Sequence, residues 1–279
     1  MGEDARELRH PPTLRYIAST PLTPPTMPAP PAFEYAAITD PGRVRAHNED
    51  ALDVVPACGL VVLADGMGGY AAGEVASDIA VSVIRDVVEQ HFLHRPVVAD
   101  ELWQVLVDAV LEANTAILAA ASDEPSYRGM GATLVTGLFN GSLLVLAHVG
   151  DSRAYRLRDG LLTLLTRDHS VLQERIDAGL VTPEEARRST IRNLVTRALG
   201  AEAVLSVEVH EHGVERGDVY LFCSDGLNDM LTDEDMTGIL LNGTGGLEQS
   251  CAELVSAANE AGGADNVSVV LVYVDEVTS

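Results

Sequence analysis

Two apolar segments of this sequence are each followed by an aspartate and a glycine. Asp65 comes directly after the apolar run 60–64, and Asp225 comes two residues after the run 219–223. Short apolar runs of this kind predict buried β-strands. A single Asp-Gly pair is typical of a turn. Because the pattern recurs after two strands, we expect both carboxylates to face the same edge of a sheet.

Four more acidic residues lie close to predicted strands. Asp265 precedes the last strand, Asp151 lies at a turn after another, and Glu49 and Asp50 precede an early strand pair. Carboxylates ~4 Å apart repel by roughly 4 kcal/mol per pair at an effective dielectric constant of about 20. Either their pKa values rise or cations neutralise them. Hard oxygen ligands favour Mg²⁺, Mn²⁺ or Ca²⁺ over Zn²⁺, so the pattern predicts a divalent cation site.

The composition excludes several other kinds of chemistry. The 279 residues include 42 acidic and 18 basic side chains, which gives a formal net charge of −24 at pH 7. All of these basic side chains are arginine. The absence of lysine excludes a Walker A phosphate loop and pyridoxal chemistry. The acidity argues against binding along a nucleic-acid backbone, so we expect no nucleic-acid partner.

The cysteines and the hydropathy bear on location. Cys58, Cys223 and Cys251 are too few for a disulfide framework and indicate a reducing compartment. None has an arginine six residues later, which disfavours a cysteine-dependent phosphatase. The N-terminus has no apolar signal core, and no uninterrupted apolar run approaches the length of a membrane span. We therefore expect a cytoplasmic protein with no membrane partner.

The periodicity of the apolar residues predicts an α+β fold. Residues 75–88 and 102–117 have apolar positions at helical spacing and predict two amphipathic helices. Between 132 and 165 the pattern becomes extended, and the pairs Asn140-Gly141 and Asp159-Gly160 predict two β-hairpins. Two helices and a last strand are predicted after these, at 232–241, 248–258 and 267–274.

Six short motifs occur in a characteristic order along residues 34–277. They are R-A-H-N-E-D at 45–50, D-G-M-G-G at 65–69, G-M-G-A-T at 129–133, V-G-D-S-R-A-Y at 149–155, S-D-G-L at 224–227 and D-N-V-S at 265–268. Each motif is weak alone, but six in this order are highly specific. Together they resemble the bacterial branch of the metal-dependent protein Ser/Thr phosphatases of the 2C type. The resemblance implies a four-layer α-β-β-α sandwich, in which helices flank two antiparallel sheets.

The resemblance also implies a centre that binds two cations, Mn²⁺ or Mg²⁺. Asp65, Asp225 and Asp265 would hold one cation. Asp65, the carbonyl of Gly66 and, through water, Glu49 would hold the other. The implied reaction is hydrolysis of phosphoserine or phosphothreonine by a water that the cations acidify, without a covalent enzyme intermediate. Its substrates would be phosphorylated proteins, including Ser/Thr kinases and their targets.

Three further residues receive roles from the same resemblance. Asp50 would support the centre from nearby, and Asp151 with Asp225 would hold a weaker third cation. Arg45 would clamp the phosphoryl group, because a guanidinium binds two of its oxygens at once. A phosphoprotein-binding pseudophosphatase is the alternative function. All the expected acids are present, so we favour the enzyme.

Two regions and two departures from the family pattern complete the prediction. Residues 1–33 hold eight of the 13 prolines and predict a disordered tail, with a partner-docking segment as the alternative. The polar stretch 168–199 matches the family's flap. Ser189-Thr190 stands where many relatives have His-Pro, which leaves flap contacts to a third cation open.

Met67 stands where some relatives have histidine, so we expect water to protonate the leaving group. Structural rather than catalytic roles are expected for His47, His148 and His169.

Overall fold

The computed structural model of the chain describes residues 32–69, 72–93, 99–182, 185, 194–243 and 245–275. Within these residues there are ten strands: β1 (Ala32–Asp40), β2 (Asp50–Val55), β3 (Leu60–Met67), β4 (Gly131–Asn140), β5 (Leu143–Val149), β6 (Arg153–Arg158), β7 (Leu161–Leu164), β8 (Glu208–Gly213), β9 (Val219–Cys223) and β10 (Val267–Asp275). The α-helices are α1 (Ala72–Phe92), α2 (Ala99–Asp123), α3 (Val171–Asp177), α4 (Asp225–Asn228), α5 (Asp233–Asn242) and α6 (Leu247–Glu260). A 3₁₀-helix spans Pro125–Tyr127.

The strands form two antiparallel sheets. One has the order β1-β10-β9-β6-β7 and the other β2-β3-β4-β5-β8. Helices α1 and α2 pack on the second sheet, while α6 packs against β1 and β10 of the first. One apolar cluster fills each helix-sheet interface, and a third lies between the sheets. This arrangement confirms the predicted α+β sandwich of four layers.

Strand β3 explains why the sequence forms layers. Leu60 and Val62 face the helices, whereas Val61 and Leu63 face the other sheet. Successive side chains of a strand point to opposite faces, so a strand covered on both sides must be apolar throughout. The uninterrupted apolar run before Asp65 is therefore the signature of a strand between two cores.

The predicted hairpins are confirmed. β4 pairs with β5, and β6 pairs with β7. Asp159 and Gly160 have φ values of 52° and 77° in the second turn, which is the left-handed conformation that a tight two-residue hairpin turn requires. Edge strand β8 is a structural element that the sequence pattern did not predict.

Helix α2 is long and apolar enough to cross a membrane, judged by length and composition alone. One such helix is weak evidence, since the core helix of a globular domain passes the same test. Its residues Leu102, Leu106 and Ile117 are fully buried in the core beside α1. Packing accounts for these positions, whereas Trp103 and Leu111 of the same helix are exposed.

The predicted domain limits can be compared with the structure only in part. β1 begins at Ala32, two residues before the predicted start of the domain, and residues 1–31 of the predicted tail lie outside the described residues. In the predicted flap, α3 forms and Ser170 bridges to Val195. Ser189 and Thr190 lie outside the described residues.

Phe139 tests the interface between the sheets. Its ring lies 5.2 Å from the Tyr220 ring and 6.3 Å from the Phe222 ring, between centroids. We expect Phe139→Ala to lower the free energy of unfolding by about 3–5 kcal/mol, because it leaves a cavity in this core. Urea denaturation measures the change. Leu161→Ala, on exposed edge strand β7, should change stability by less than about 0.5 kcal/mol. Equal losses in both variants would contradict the described packing.

Candidate metal centre

A cavity of about 200 Å³ opens at one edge of the sandwich. All the predicted site residues except Asp50 line it: Arg45, Glu49, Asp65, Gly66, Asp151, Asp225 and Asp265. Met67, Gly68, Thr133, Val195 and Asn266 complete the wall. The structure therefore brings together acids that are up to 216 positions apart in the sequence, from Glu49 to Asp265.

Both sheets contribute acids to this edge. Asp65 lies near the end of β3, paired across the sheet with Asp50 of β2. Asp225 is the first residue of α4, directly after β9 and Ser224. Asp265 lies two residues before β10, and Asp151 lies in the turn between β5 and β6. Chain reversals at the ends of apolar strands thus deliver each carboxylate to the same opening.

Asp50 lies behind the cavity wall instead of lining it. Its Oδ2 accepts a 2.8 Å hydrogen bond from the Ser224 hydroxyl. The Ser224 Oγ in turn accepts a 3.0 Å hydrogen bond from the backbone N–H of Ser268. Asp50 is on one sheet, and the two serines flank strand ends of the other. These bonds therefore join the sheets directly beneath the acidic cluster.

Arg45 lies at the mouth of the cavity. Its Nη2 donates to Asp265 Oδ2 at 2.8 Å, and its side chain is half exposed. The other Asp265 oxygen, Oδ1, accepts the backbone N–H of Asn266 at 2.9 Å. Glu49, also on the wall, donates its backbone N–H to Asn266 Oδ1 at 2.8 Å. The guanidinium is thus held beside the carboxylates with donors available toward solvent.

The acids raise one another's pKa values. Burial and the neighbouring carboxylates of Asp50, Asp225 and Asp151 raise the pKa of Asp65 well above its ordinary value. Burial is also the largest cause that raises the pKa of Asp225 well above its ordinary value, and Asp151 and other acids add to it. Burial and nearby Asp168 raise the pKa of Asp151 to about 7. Such shifts mean that the cluster is unfavourable when ionised alone and gains from cations.

The residues fit divalent cations. Every predicted ligand atom is a carboxylate or carbonyl oxygen, the donor type that Mg²⁺ and Mn²⁺ take. Asp225 Oδ1 is buried and has no hydrogen-bond partner among the described residues. At Gly66 an added Cβ would lie 2.1 Å from the Gly73 carbonyl oxygen and 2.5 Å from that of Glu49. Only glycine lets the backbone lie so close at this position.

A second group of potential metal ligands lies apart from these acids. Ligand atoms of His148, His169 and Glu208 lie within 4.8 Å of one another. The Gly150 N–H donates to His169 Nδ1 at 3.1 Å, which favours a ring proton on Nε2, 3.0 Å from Glu208 Oε2. The cationic Arg197 Nη1 also lies 3.2 Å from Nε2. A cation at Nε2 would require that proton on Nδ1, against the Gly150 N–H. The hydrogen bonds therefore favour a structural role for this histidine.

Sequence reasoning missed the residues that hold the site together. Asn266 and Ser224 were quoted only as parts of motifs, yet each bonds to a distant site segment. Thr133 lines the cavity, and its Oγ1 lies 2.6 Å from Ser152 Oγ. Asn266 and Ser224 each lie next to a predicted ligand, and that position is the signal that could have identified them, whereas Thr133 has no such neighbour.

Comparison with known proteins agrees with this geometry. Residues 43–271 match the protein phosphatase 2C family. This chain belongs to that family. Serine/threonine protein phosphatase PstP of Mycobacterium tuberculosis is 42% identical to it over 240 residues, which are 86% of this chain and 44% of PstP. The chain thus spans less than half the length of that relative.

Other relatives are covered almost completely. Serine/threonine phosphatase Stp of Listeria monocytogenes is 37% identical over 243 residues, 85% of this chain and 94% of Stp. The crystal structure of the PstP catalytic domain in complex with two manganese ions is 40% identical and has a TM-score of 0.78. It covers 88% of this chain, and 99% of that domain is matched. The predicted 2C-type family and sandwich fold are confirmed.

The acidic cluster of this 2C-type domain makes stability depend on pH. A carboxyl whose pKa is raised on folding binds more protons when folded, so stability falls as pH rises from about 4 toward the folded pKa. For Asp151 that value is about 7. Without metal, Asp225→Asn should be more stable than the wild type, by a margin that grows by at least about 1 kcal/mol between about pH 5 and 7.5.

Chemical denaturation at both pH values measures this margin. The histidines also titrate in this range, but they are the same in the two proteins, so their effect on stability cancels in the comparison. Mn²⁺ should stabilise the wild type at the higher pH and have little effect on Asp225→Asn. A margin that shrinks with pH would contradict mutual repulsion at the centre. Equal stabilisation of the two proteins by Mn²⁺ would contradict the role of Asp225 in holding it.

Proposed function

We propose that this chain is a metal-dependent protein serine/threonine phosphatase that hydrolyses phosphoserine and phosphothreonine. The observation that carries the proposal is the convergence of Asp65, Asp225, Asp265 and Glu49 on one cavity with Arg45 at its mouth. The names of PstP and Stp support the same activity, and the manganese-bound PstP domain supports two cations per chain. Mg²⁺ is the alternative cation, since it takes the same oxygen ligands.

The ligands we propose follow the cavity wall. Asp65, Asp225 and Asp265 hold one cation, and Asp65, the Gly66 carbonyl and Glu49 hold the second. When bound, the two cations lower the pKa of water and offset the negative charge of the phosphoryl group. We assign Asp151, together with Asp225, to a weaker third cation. The raised pKa of Asp151 supports this role, because a cation would stabilise its ionised form.

The protein's own groups orient the phosphate. Arg45 has only Asp265 as an ion-pair partner among the described residues, and its side chain is half exposed. Its remaining N–H groups can therefore donate to phosphoryl oxygens. Asp50 lies opposite Asp65 in the β2–β3 register and accepts a hydrogen bond from Ser224, which adjoins the other sheet. The role proposed for Asp50 is support of the centre.

The cysteine thiols and the absence of lysine favour direct attack by water over attack by a thiol or an amine of the protein. Burial raises the pKa values of Cys223 and Cys251 to about 12, so both thiols stay protonated at neutral pH. Neither can supply a thiolate nucleophile. The chain contains no lysine. These features suit hydrolysis without a covalent enzyme intermediate, the reaction that the family resemblance implies.

The biological setting is also a proposal. We assign phosphorylated proteins as substrates, with bacterial Ser/Thr kinases and their targets as the relevant class, a role in signalling and a cytoplasmic location. The three cysteines are buried and free, which supports a reducing compartment. No nucleic-acid or membrane partner is proposed. For residues 168–199 we propose a flap beside the site, and Val195 on the cavity wall supports that placement.

Loss of a ligand tests the enzymatic role. We expect Asp65→Asn and Asp225→Asn each to lower Mn²⁺-dependent turnover by more than about 100-fold, the upper range for residues that only support metal ligands. The substrates are p-nitrophenyl phosphate and a phosphothreonine peptide. The exposed Asp123→Asn is the matched control and should keep wild-type turnover. An inactive wild type with intact Mn²⁺ and phosphopeptide binding would instead favour a pseudophosphatase.

Arg45 tests the proposed phosphate clamp. We expect Arg45→Ala to raise KM for the phosphopeptide by about 10–100-fold, the equivalent of losing one or two charge-assisted hydrogen bonds. Arg45→Lys keeps the charge but not the fork of donors and should recover only part of the loss. Steady-state kinetics at saturating Mn²⁺ make the measurement. An unchanged KM in Arg45→Ala would remove this residue from substrate binding.

A further inference from the structure

The segment that carries Arg45 belongs to no strand or helix, so it lacks their regular backbone hydrogen bonds. Residues 41–49 lie between β1 and β2 and form only turns and bends. Contacts with other parts of the chain must therefore fix it. The Arg43 N–H donates to the Gly263 carbonyl at 2.8 Å, and Asn48 Nδ2 donates to Thr39 Oγ1 at 2.7 Å. Both contacts lie on the flanks of Arg45.

Asn266 bonds to the backbone of this segment at three points. Its Nδ2 donates to the His47 carbonyl at 2.9 Å and to the Pro41 carbonyl at 3.1 Å. Its Oδ1 accepts the Glu49 N–H at 2.8 Å. One buried amide thus bonds to the backbone on both sides of Arg45.

The amide orientation is fixed by its surroundings. Nδ2 faces two carbonyl oxygens, and Oδ1 faces one N–H. Exchanging the two amide groups would set like against like in all three contacts. Both Nδ2 hydrogens are used, so Asn266 has no donor left for a phosphate in the cavity that it lines. Any effect of its side chain on phosphate binding must pass through the segment that it holds.

We propose that Asn266 is a positioning residue that sets the place of Arg45 and, through it, the affinity of the site for the phosphoryl group. The inference rests on the proposed phosphatase function, because it assigns Arg45 to phosphate. Two consecutive residues make the contacts to the side chain and to the backbone of this segment. Asp265 binds the guanidinium, and the next residue along the chain fixes the backbone that carries it. These two residues, just before β10, thus contact the guanidinium of Arg45 and the backbone on both sides of it.

A double-mutant cycle tests this role. The affinity of Mn²⁺-saturated protein for orthophosphate is measured by calorimetry for the wild type, Asn266→Ala, Arg45→Ala and the double variant. Asn266→Ala should weaken phosphate binding about tenfold in the wild type, since a displaced clamp loses its contacts. In the Arg45→Ala background the same change should have less than about a twofold effect, because two residues acting through one contact are not additive.

Two results would overturn the proposal. One is an equal loss of affinity in both backgrounds, and the other is unchanged affinity in Asn266→Ala. Mn²⁺ titration of each variant ensures that phosphate binding is compared at full loading. If Asn266→Ala does not fold by circular dichroism, Asn266→Ser replaces it. That variant loses both Nδ2 donors, keeps a small polar side chain and adds no charge beside Arg45, so the cycle reports no new interaction.

A matched asparagine separates positioning from stability. Asn259 is similarly buried, and its Nδ2 donates to Asp40 Oδ1 at 3.1 Å, at the base of the same segment. Asn259→Ala should lower thermal stability without weakening phosphate binding, whereas equal weakening by both variants would contradict a specific role for Asn266. Orthophosphate binding needs no turnover. An inactive wild type would thus reject the proposed function, while the cycle would still decide the role of Asn266.

Discussion

The rest of the structure depends on the mutual repulsion of carboxylates that the fold forces together. Burial raises the pKa of Asp65, and the neighbouring carboxylates of Asp50, Asp225, Asp151 and Asp265 raise it further. Such a cluster opposes folding when it is ionised and unneutralised. A protein that keeps it must recover that free energy elsewhere, and divalent cations held by these oxygens offer the most direct compensation. Stability and the catalysis that we propose therefore depend on the same carboxylates.

The sandwich is suited to build such a cluster because both of its sheets end at the same opening. Asp65 comes from one sheet, while Asp225 and Asp265 adjoin strands of the other. Three apolar clusters hold the layers together away from the acids. Near the opening, polar contacts connect the two sheets, as the hydrogen bond from Ser224 to Asp50 does. Core packing sets where the strands end, and this bond fixes the orientation of Asp50.

Local sequence patterns were sufficient for much of the fold. The limits of β9 were predicted without error because five apolar residues are followed by Ser-Asp-Gly, and the hairpins followed from their turn residues. Strand β8 was missed because its Glu-Val-His-Glu-His sequence lies on a sheet edge, where burial imposes no apolar pattern. The bonds from Asn266 and Ser224 join residues 174 or more positions apart, so no local pattern encodes them. The motifs identified the acids that the structure brings to one cavity but not the contacts around them.

The central claim is that the acidic edge of the sandwich holds two divalent cations. Anomalous diffraction at the manganese edge, from crystals grown with Mn²⁺, tests it most directly. The account predicts two strong peaks that share Asp65, one beside Asp225 and Asp265 and the other beside Glu49 and the Gly66 carbonyl. An ordered structure of Mn²⁺-saturated protein with no peak at this edge, or with peaks only beside His148, His169 and Glu208, would contradict it.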